Sequence, residues 1–110
     1  MIKEYIDFGT IGDYLSREWL EPFGLSQNAL AKAIGVPQNR ISDIINGKRG
    51  ITADTDLRLC RYFGLSDGVF TGIQQHYEHI LAKRAIEKEL LEIIPYANDN
   101  FKPKRKKIAM

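Results

Sequence analysis

The chain has 110 residues, of which 44% are hydrophobic and 27% are charged, and its formal net charge at pH 7 is +2. This length suits one domain with a modest core and excludes the paired lobes of a multidomain enzyme. No apolar run approaches the ~20 residues that cross a bilayer, and residues 1–10 lack the apolar stretch of a secretion signal. We therefore expect a cytoplasmic protein that does not bind a membrane.

The charge is divided unevenly along the chain. Residues 26–63 carry six basic and three acidic side chains, whereas residues 1–25 and 64–101 each have a net charge of −3. Residues 102–110 carry five basic side chains and no acidic one. A basic middle between acidic flanks indicates a surface that faces a polyanion, although blocks of this size also arise by chance.

Apolar residues recur at helical spacing almost throughout, and no segment has the alternation of a strand. Glycine and proline divide this pattern, so we predict an all-α fold of about five helices. The predicted helices span Ile11 to Glu21, Gln27 to Ile34, Pro37 to Asn46, Ala53 to Phe63, and a last region from Ser66 to Ile94. Ser66 is the expected N-cap of the last region, and a change of phase between Leu81 and Ile86 leaves open whether it is one helix or two.

The predicted helices divide the chain into three parts. Residues 1–10 show no clear period and form an N-terminal arm, either extended or packed as a flap. Residues 11–94 form the helical domain. Residues 95–110 form a basic tail, which we expect to be disordered because its apolar surface is too small to offset the entropy of ordering.

The stretch from Gln27 to Asn46 has the pattern of two short helices that cross at a sharp turn. Ala31 lies where the second helix crosses closest, so a larger side chain would push the two axes apart. Gly35 suits the left-handed conformation that ends a helix, Val36 plugs the turn, and Pro37 suits the first position of the next helix. This is the helix-turn-helix pattern. Its shared core comprises Leu30, Ile34, Ile41, Ile44 and Ile45.

The exposed side of the second helix of this motif carries groups that suit base edges. An amide side chain can form two hydrogen bonds with one adenine, and a guanidinium can bond guanine. Each such contact discriminates against the wrong base by about 1 to 3 kcal/mol. Asp43 can accept a bond from cytosine or orient Arg40, or it can repel phosphate and restrict docking, and the sequence leaves these roles open. The predicted base-reading residues are Gln38, Asn39, Arg40, Ser42 and Asp43.

Residues around that helix suit phosphate groups, which position a protein on DNA without reading sequence. Free N–H groups at the start of the preceding helix favour an anion, and amide and basic side chains follow in the next loop. Lys48 and Arg49 are equally compatible with solvated loop charges when taken singly, but the helix-turn-helix context favours DNA. Thr52 is also a candidate N-cap of the fourth helix. The predicted phosphate contacts are Ser26, Gln27, Asn46, Lys48, Arg49 and Thr52.

Residues 11 to 81 resemble the Xre-type helix-turn-helix proteins of the HigA antitoxin group. The run GVPQNRISDIINGKRGITADT, which begins at Gly35, is especially specific to that group. The resemblance implies a five-helix, lambda-repressor-like domain with a C-terminal helical extension. It also implies a protein that dimerises, binds a palindromic operator in its own promoter and neutralises a small ribonuclease toxin made from the same operon.

Two segments depart from the usual pattern of the group. Many members open the first helix with His-Pro-Gly-Glu, whereas this chain has Thr10-Ile11-Gly12-Asp13. Many also have an aromatic-rich Glu-Phe-Trp-Leu-Asn-Leu-Gln after the fourth helix, where residues 68–74 of this chain read GVFTGIQ. Both segments lie outside the DNA reader, so they bear on the dimer face and the toxin partner and not on DNA binding.

The last helical region carries an apolar stripe with two interpretations, core packing and a dimer seam. The seam is favoured because a lone helix-turn-helix offers few contacts, and a twofold dimer matches two half-sites ~34 Å apart. The predicted dimer interface comprises Phe70, Ile73, Tyr77, Ile80 and Leu81.

Other kinds of chemistry have weaker support. Cys60 lies at helical spacing with Leu57 and Phe63, which favours a buried structural thiol over a redox switch. His76 and His79 have a spacing that permits shared metal ligation, but Glu78 is the only nearby carboxylate and no further ligand cluster appears. The sequence has no nucleophile elbow, phosphate loop or carboxylate pair, so we expect no enzyme activity, no metal and no cofactor.

The sequence therefore predicts a dimeric, sequence-specific DNA-binding repressor that autoregulates its promoter as the antitoxin of a type II toxin–antitoxin operon. The alternative is a solitary Xre-type regulator of phage, plasmid or metabolic genes without a toxin partner. The basic tail from Lys102 to Lys107 is a candidate second contact with phosphate.

Overall fold

Residues 9–96 are described by a computed structural model, and within that range the chain forms six α-helices and no strand. The all-α fold expected from the apolar spacing is therefore confirmed. The helices are α1 (Ile11–Leu15), which continues as a π-helical turn (Ser16–Leu20), α2 (Gln27–Ile34), α3 (Gln38–Ile45), α4 (Ala53–Phe63), α5 (Val69–Ala85) and α6 (Glu87–Glu92). The buried core draws on the first five of them and comprises Ile11, Leu15, Leu20, Leu30, Ala31, Ile34, Ile41, Ile44, Ile51, Leu59, Cys60 and Phe70.

Helices α2 and α3 form the predicted helix-turn-helix, and local sequence sets the ends of α2. The Ser26 hydroxyl caps the helix by accepting a hydrogen bond from the Ala29 N–H at 3.0 Å. Gly35 ends the helix with a left-handed φ of +75°, and the following Val36 N–H donates to the Ala31 carbonyl at 3.0 Å. Ala31 is only 1% exposed, which confirms its place at the packed side of α2.

The start of α3 differs from the prediction by one residue. Pro37 has an extended ψ of +147°, so it is the N-cap of α3 and not its first helical residue. The ring fixes φ at −63°, but the extended ψ turns the chain out of the helix. Gln38 therefore becomes the first helical residue, and its side chain stands at the very tip of α3.

Helix α1 widens into a π-helical turn before it ends. The Glu21 N–H donates to the Ser16 carbonyl, five residues back, at 2.9 Å. The Trp19 ring in this turn packs with its centroid 4.7 Å from that of Phe63 and 6.2 Å from that of Phe70. The first predicted helix is thus confirmed in extent, although its last turn has a different hydrogen-bond pattern.

Helix α1 crosses α3 at Gly12, where the two backbones nearly touch. A Cβ built on Gly12 would lie 2.9 Å from the Ile45 Cα and would collide with the Ile44 carbonyl oxygen. Neither of these groups can give way, because both belong to the backbone of α3. Only glycine fits at this crossing without separating the helices.

Helix α5 begins at Val69, and a buried carboxylate from α4 fixes that start. Asp56 is 2% exposed and accepts from the N–H groups of Gly68, Phe70 and Thr71 at 2.7, 2.8 and 3.0 Å. The prediction that Ser66 caps this helix is wrong, because Asp56 supplies the acceptor from another helix. The Cys60 thiol, which is fully buried as predicted, donates to the same carboxylate at a Sγ–Oδ1 distance of 3.6 Å.

The last helical region consists of two helices. Ile86 has φ −119° and ψ +26°, which ends α5 and separates it from α6. This break falls at the end of the interval in which the sequence changes phase. Every residue of α6 is exposed, so this short helix does not contribute to the core.

Most of the N-terminal arm and of the basic tail lies outside the described residues. The predictions for residues 1–8 and 97–110, including the phosphate contact from Lys102 to Lys107, therefore stay predictions. Within residues 9–96, no helix is both long enough and apolar enough to span a membrane.

Gly12→Ala is expected to destabilise the fold by about 1 to 3 kcal/mol, because the added methyl group must push α1 away from α3. The matched control is Gly72→Ala in α5, where nothing lies within 4 Å of an added Cβ. This second change is expected to leave stability unchanged or to raise it by up to about 1 kcal/mol through helix propensity. Urea unfolding of both variants beside the parent measures the difference, and a parental stability for Gly12→Ala would contradict the steric argument.

Candidate nucleic-acid interface

The first turn of α3 presents two amide side chains to solvent. Gln38 and Asn39 are exposed, whereas Ile41 and Ile44 on the inward side of the helix are 0% and 1% exposed. The helix is therefore held by its apolar side while its N-terminal tip stays accessible. Amides in such a position suit the donor and acceptor pattern of adenine in a major groove.

Ser42 and Asp43, two further predicted base readers, are half-buried and take part in local hydrogen bonds. The Ser42 hydroxyl donates to the Asn39 carbonyl one turn earlier at 3.3 Å. The Asp43 main-chain carbonyl accepts from the N–H groups of Lys48 and Arg49 at 2.8 and 3.3 Å. These bonds fold the loop after α3 back onto the helix, so the exposed Lys48 and Arg49 stand beside the reader.

Arg40 is engaged by the neighbouring helix α4. Its Nη1 lies 3.6 Å from Asp54 Oδ1, and its side chain is 31% exposed. The same carboxylate oxygen accepts from Arg58 Nε at 2.7 Å. Among the predicted base readers, Arg40 thus differs from the exposed Gln38 and Asn39 in having a side-chain partner on another element.

The predicted phosphate contacts at helix ends occupy capping positions. Ser26 and Thr52 are the N-caps of α2 and α4, and the Thr52 hydroxyl accepts from the Thr55 N–H at 3.4 Å. Gln27 begins α2 and is half-buried, while Asn46 is the exposed C-cap of α3. Each capping hydroxyl satisfies one N–H group, which leaves the other first-turn donors for an anion.

The side chain of Gln74 in α5 fastens the segment between α3 and α4. Its Oε1 accepts from the Ile51 N–H at 2.7 Å, and its Nε2 donates to the Ile51 carbonyl at 2.9 Å. One amide thus satisfies both backbone groups of a residue that is 3% exposed. This pair of bonds fixes the end of the loop that carries Lys48 and Arg49.

Sequence reasoning missed Gln74, Asp56 and Arg58, because each contacts an element that is distant along the chain. Arg58 Nη1 donates to the Ile34 carbonyl at 2.9 Å, 24 residues away, and a backbone acceptor leaves no signal in the sequence. For Asp56 a signal exists, since this carboxylate falls on the same face of α4 as the buried Leu59. Gln74 likewise lies on the packed side of α5, where a polar residue indicates a buried partner.

The predicted dimer residues separate into two groups. Phe70 and Tyr77 are 0% and 5% exposed and belong to the interior of the chain itself, which corrects their assignment to a dimer interface. The physical reason is that α5 packs this side against α1 and α4, so the apolar stripe is partly core. Ile73 and Ile80 are half-buried, and Leu81 is 52% exposed.

The comparison with known sequences identifies a family. The family model described as helix-turn-helix matches residues 17–70, which include α2, α3 and α4. Virulence-associated protein I of Dichelobacter nodosus is 44% identical over 89 residues, a match that covers 80% of this chain and 81% of that relative.

Two solved structures from Pseudomonas aeruginosa are similar to this chain over nearly their whole length. Antitoxin HigA, solved with the higBA promoter, is 34% identical with a TM-score of 0.71, and the match covers 80% of this chain and 96% of that one. PA4674, solved in complex with its 18-base-pair operator DNA, is 36% identical with a TM-score of 0.74, and the match covers 79% and 93%. The chain therefore belongs to the Xre-type helix-turn-helix family, in its HigA-like group.

Proposed function

We propose that this protein is a sequence-specific DNA-binding repressor and the antitoxin of a toxin–antitoxin operon. The DNA-binding assignment rests on one observation: the first turn of α3 exposes two amide side chains, while the opposite side of the helix is buried. Basic and N-cap residues belong to the neighbouring loop and helix ends. The likeness to PA4674 with its operator and to HigA with the higBA promoter supports the same assignment.

The tip of α3 is the part that reads sequence. In a helix-turn-helix, the N-terminal residues of the second helix enter the major groove and contact base edges. Gln38 and Asn39 hold that position and are exposed, and either amide can bond adenine through two hydrogen bonds. Ser42 and Asp43 are one turn further along, where they contact bases only if the helix enters the groove deeply.

The loop after α3 and the starts of α2 and α4 hold the backbone of the DNA. Lys48 and Arg49 supply charge, and Ser26, Gln27 and Thr52 place helix N-termini near the phosphates. Asn46 adds an amide at the end of α3. Such contacts contribute most of the salt-dependent affinity but carry no sequence information.

Two copies of the chain would bind the two halves of a palindromic operator. The seam we propose starts at the accessible part of α5, with Ile73, Ile80 and Leu81, and continues along the end of the helical region. Six large apolar side chains are exposed within residues 81–94, and exposed apolar residues that are this frequent are typical of a surface that a partner covers. They are Leu81, Ile86, Leu90, Leu91, Ile93 and Ile94.

The antitoxin assignment rests on the HigA-like group to which the chain belongs. In this proposal the protein sequesters a small ribonuclease toxin made from the same operon, and it represses that operon when bound to DNA. A ribonuclease binds a polyanion and therefore carries a basic surface, which suits the net charge of −3 of residues 1–25 and of residues 64–101.

Asn39→Ala and Lys48→Ala are expected to affect operator binding in different ways. Loss of a base contact at Asn39 should weaken operator binding by about 1 to 3 kcal/mol and leave binding to a scrambled duplex unchanged. Loss of a phosphate contact at Lys48 should weaken both equally and lower the salt slope by about 1. Fluorescence anisotropy over a salt series measures both, and equal losses on the two duplexes for Asn39→Ala would contradict its role as a reader.

Leu81→Asp is expected to raise the dimer dissociation constant at least tenfold, because it buries a charge in the proposed seam. Gln75→Asp is the matched control, since Gln75 is exposed in α5, lies on the side of the helix opposite to Ile73 and Ile80, and is about three turns before Ile86. Sedimentation equilibrium of both variants gives the masses. A parental dimer for Leu81→Asp would place the dimer contact elsewhere.

Native mass spectrometry of the tagged chain, co-expressed with its flanking reading frames, tests the antitoxin assignment. The expected species is a homodimer with a bound small basic protein that arrests growth when it is expressed alone. Asn39→Ala serves as the control variant, because it should keep the bound protein while it loses operator selectivity. A bare homodimer would instead favour the solitary regulator.

A further inference from the structure

A groove between α3 and α4 gathers three arginine side chains. Its volume is about 360 Å³, and its lining includes Arg40, Arg49 and Arg58 together with one carboxylate, Asp54. The excess of positive charge in so small a space favours an anion. The N-cap of α4, Thr52, lines the same groove, so the positive end of that helix adds to the field.

Arg58 is the fixed arginine of this groove. Its Nη1 donates to the carbonyls of Ile34 and Gly35, at the end of α2, at 2.9 and 3.4 Å. Its Nε donates to Asp54 Oδ1 at 2.7 Å. Arg58 therefore holds the turn of the helix-turn-helix and fixes the position of the Asp54 carboxylate, so that it contributes charge to the groove without moving.

Arg40 is held much less firmly. Within residues 9–96, its ion pair runs to the carboxylate oxygen that also accepts the Arg58 hydrogen bond, at the longer distance of 3.6 Å. Asp54 is 60% exposed, and ion pairs between exposed side chains stabilise a protein only weakly, so Arg40 leaves its partner at little cost. Arg49 is exposed in the loop and forms no ion pair with any residue of the described range 9–96.

We infer that this groove binds one backbone phosphate of the operator, with Arg40 and Arg49 as its two movable contacts. Asp54 keeps Arg40 at the groove while DNA is absent, and the phosphate takes over that guanidinium on binding. The inference rests on the proposed DNA-binding function and changes the role of one residue within it. Arg40 then contacts phosphate and positions the protein, whereas the sequence alone predicts that it reads a base.

The test distinguishes a phosphate contact from a base contact. Arg40→Met keeps the aliphatic stem and removes the charge. Its binding is measured over a salt series on two duplexes, the operator found by footprinting the promoter of the chain's own operon and a scrambled duplex of equal composition. We expect the same loss of affinity on both, roughly tenfold, and a log–log salt slope shallower by about 1. Loss confined to the operator would overturn the inference and restore Arg40 as a base reader.

Arg61→Met is the matched control, because this substitution also removes one positive charge. Arg61 is exposed in the last turn of α4 and does not line the groove. It should leave the salt slope within error of the parent. Arg49→Met provides a second, independent variant at a loop position, with the same expected loss on both duplexes. An Arg49→Met protein that binds as the parent does would also contradict the site.

Asp54→Asn tests the role of the carboxylate, since asparagine still accepts the Arg58 hydrogen bond but no longer attracts Arg40. Binding to both duplexes should tighten about two- to fivefold, which corresponds to an exposed ion pair. The gain should vanish in the Arg40→Met background, whereas Asp67→Asn, which removes an exposed charge outside the groove, should not produce it. An equal gain in both backgrounds would mean that Asp54 acts through net charge alone.

These measurements separate the inference from the proposed function. If the parent protein does not prefer any promoter sequence, the repressor assignment fails, yet the groove is still tested on the scrambled duplex, because a phosphate contact is independent of sequence. If the parent prefers its operator and the Arg40 and Arg49 variants match it, only the phosphate site fails. Thermal unfolding of each variant verifies that the fold is kept.

Discussion

One buried carboxylate, Asp56, determines how the C-terminal half of the domain joins the DNA-binding half. It accepts three N–H bonds at the start of α5, where the unpaired amides and the helix dipole both favour negative charge. These charge-assisted bonds offset the cost of placing the carboxylate where it is only 2% exposed. Because Asp56 lies on α4, the bonds fix α5 relative to the helix that follows the reader.

The position of α5 in turn fixes the loop between α3 and α4, which belongs to the candidate DNA-binding surface. Once Asp56 has fixed the start of this helix, Gln74 lies one turn further along and reaches both backbone groups of Ile51. That residue ends the loop whose other end is bonded to the Asp43 carbonyl. The loop with Lys48 and Arg49 is thus fastened at both ends, which lowers the entropy lost when it contacts DNA.

Local features of the sequence were enough to predict the helix-turn-helix. Ser26, Gly35 and Thr52 act through neighbours within five residues, so their capping roles follow from residue type and spacing. The partners of Asp56, Gln74 and Arg58 are backbone groups of other elements, and only the fold brings them together. The apolar stripe of α5 was assigned to a dimer seam, with core packing as the alternative, because its spacing could not separate the core residue Phe70 from the exposed Leu81.

The departure of Thr10-Ile11-Gly12-Asp13 from the usual His-Pro-Gly-Glu is smaller in the structure than in the sequence. Thr10 caps α1 by accepting from the Asp13 N–H at 3.1 Å, so the start of the helix is kept with different chemistry. The glycine common to both versions is the residue that the crossing with α3 requires. Gly12 therefore allows the close contact through which α1 supports the reader helix, although the residues on either side of it differ from the usual pattern.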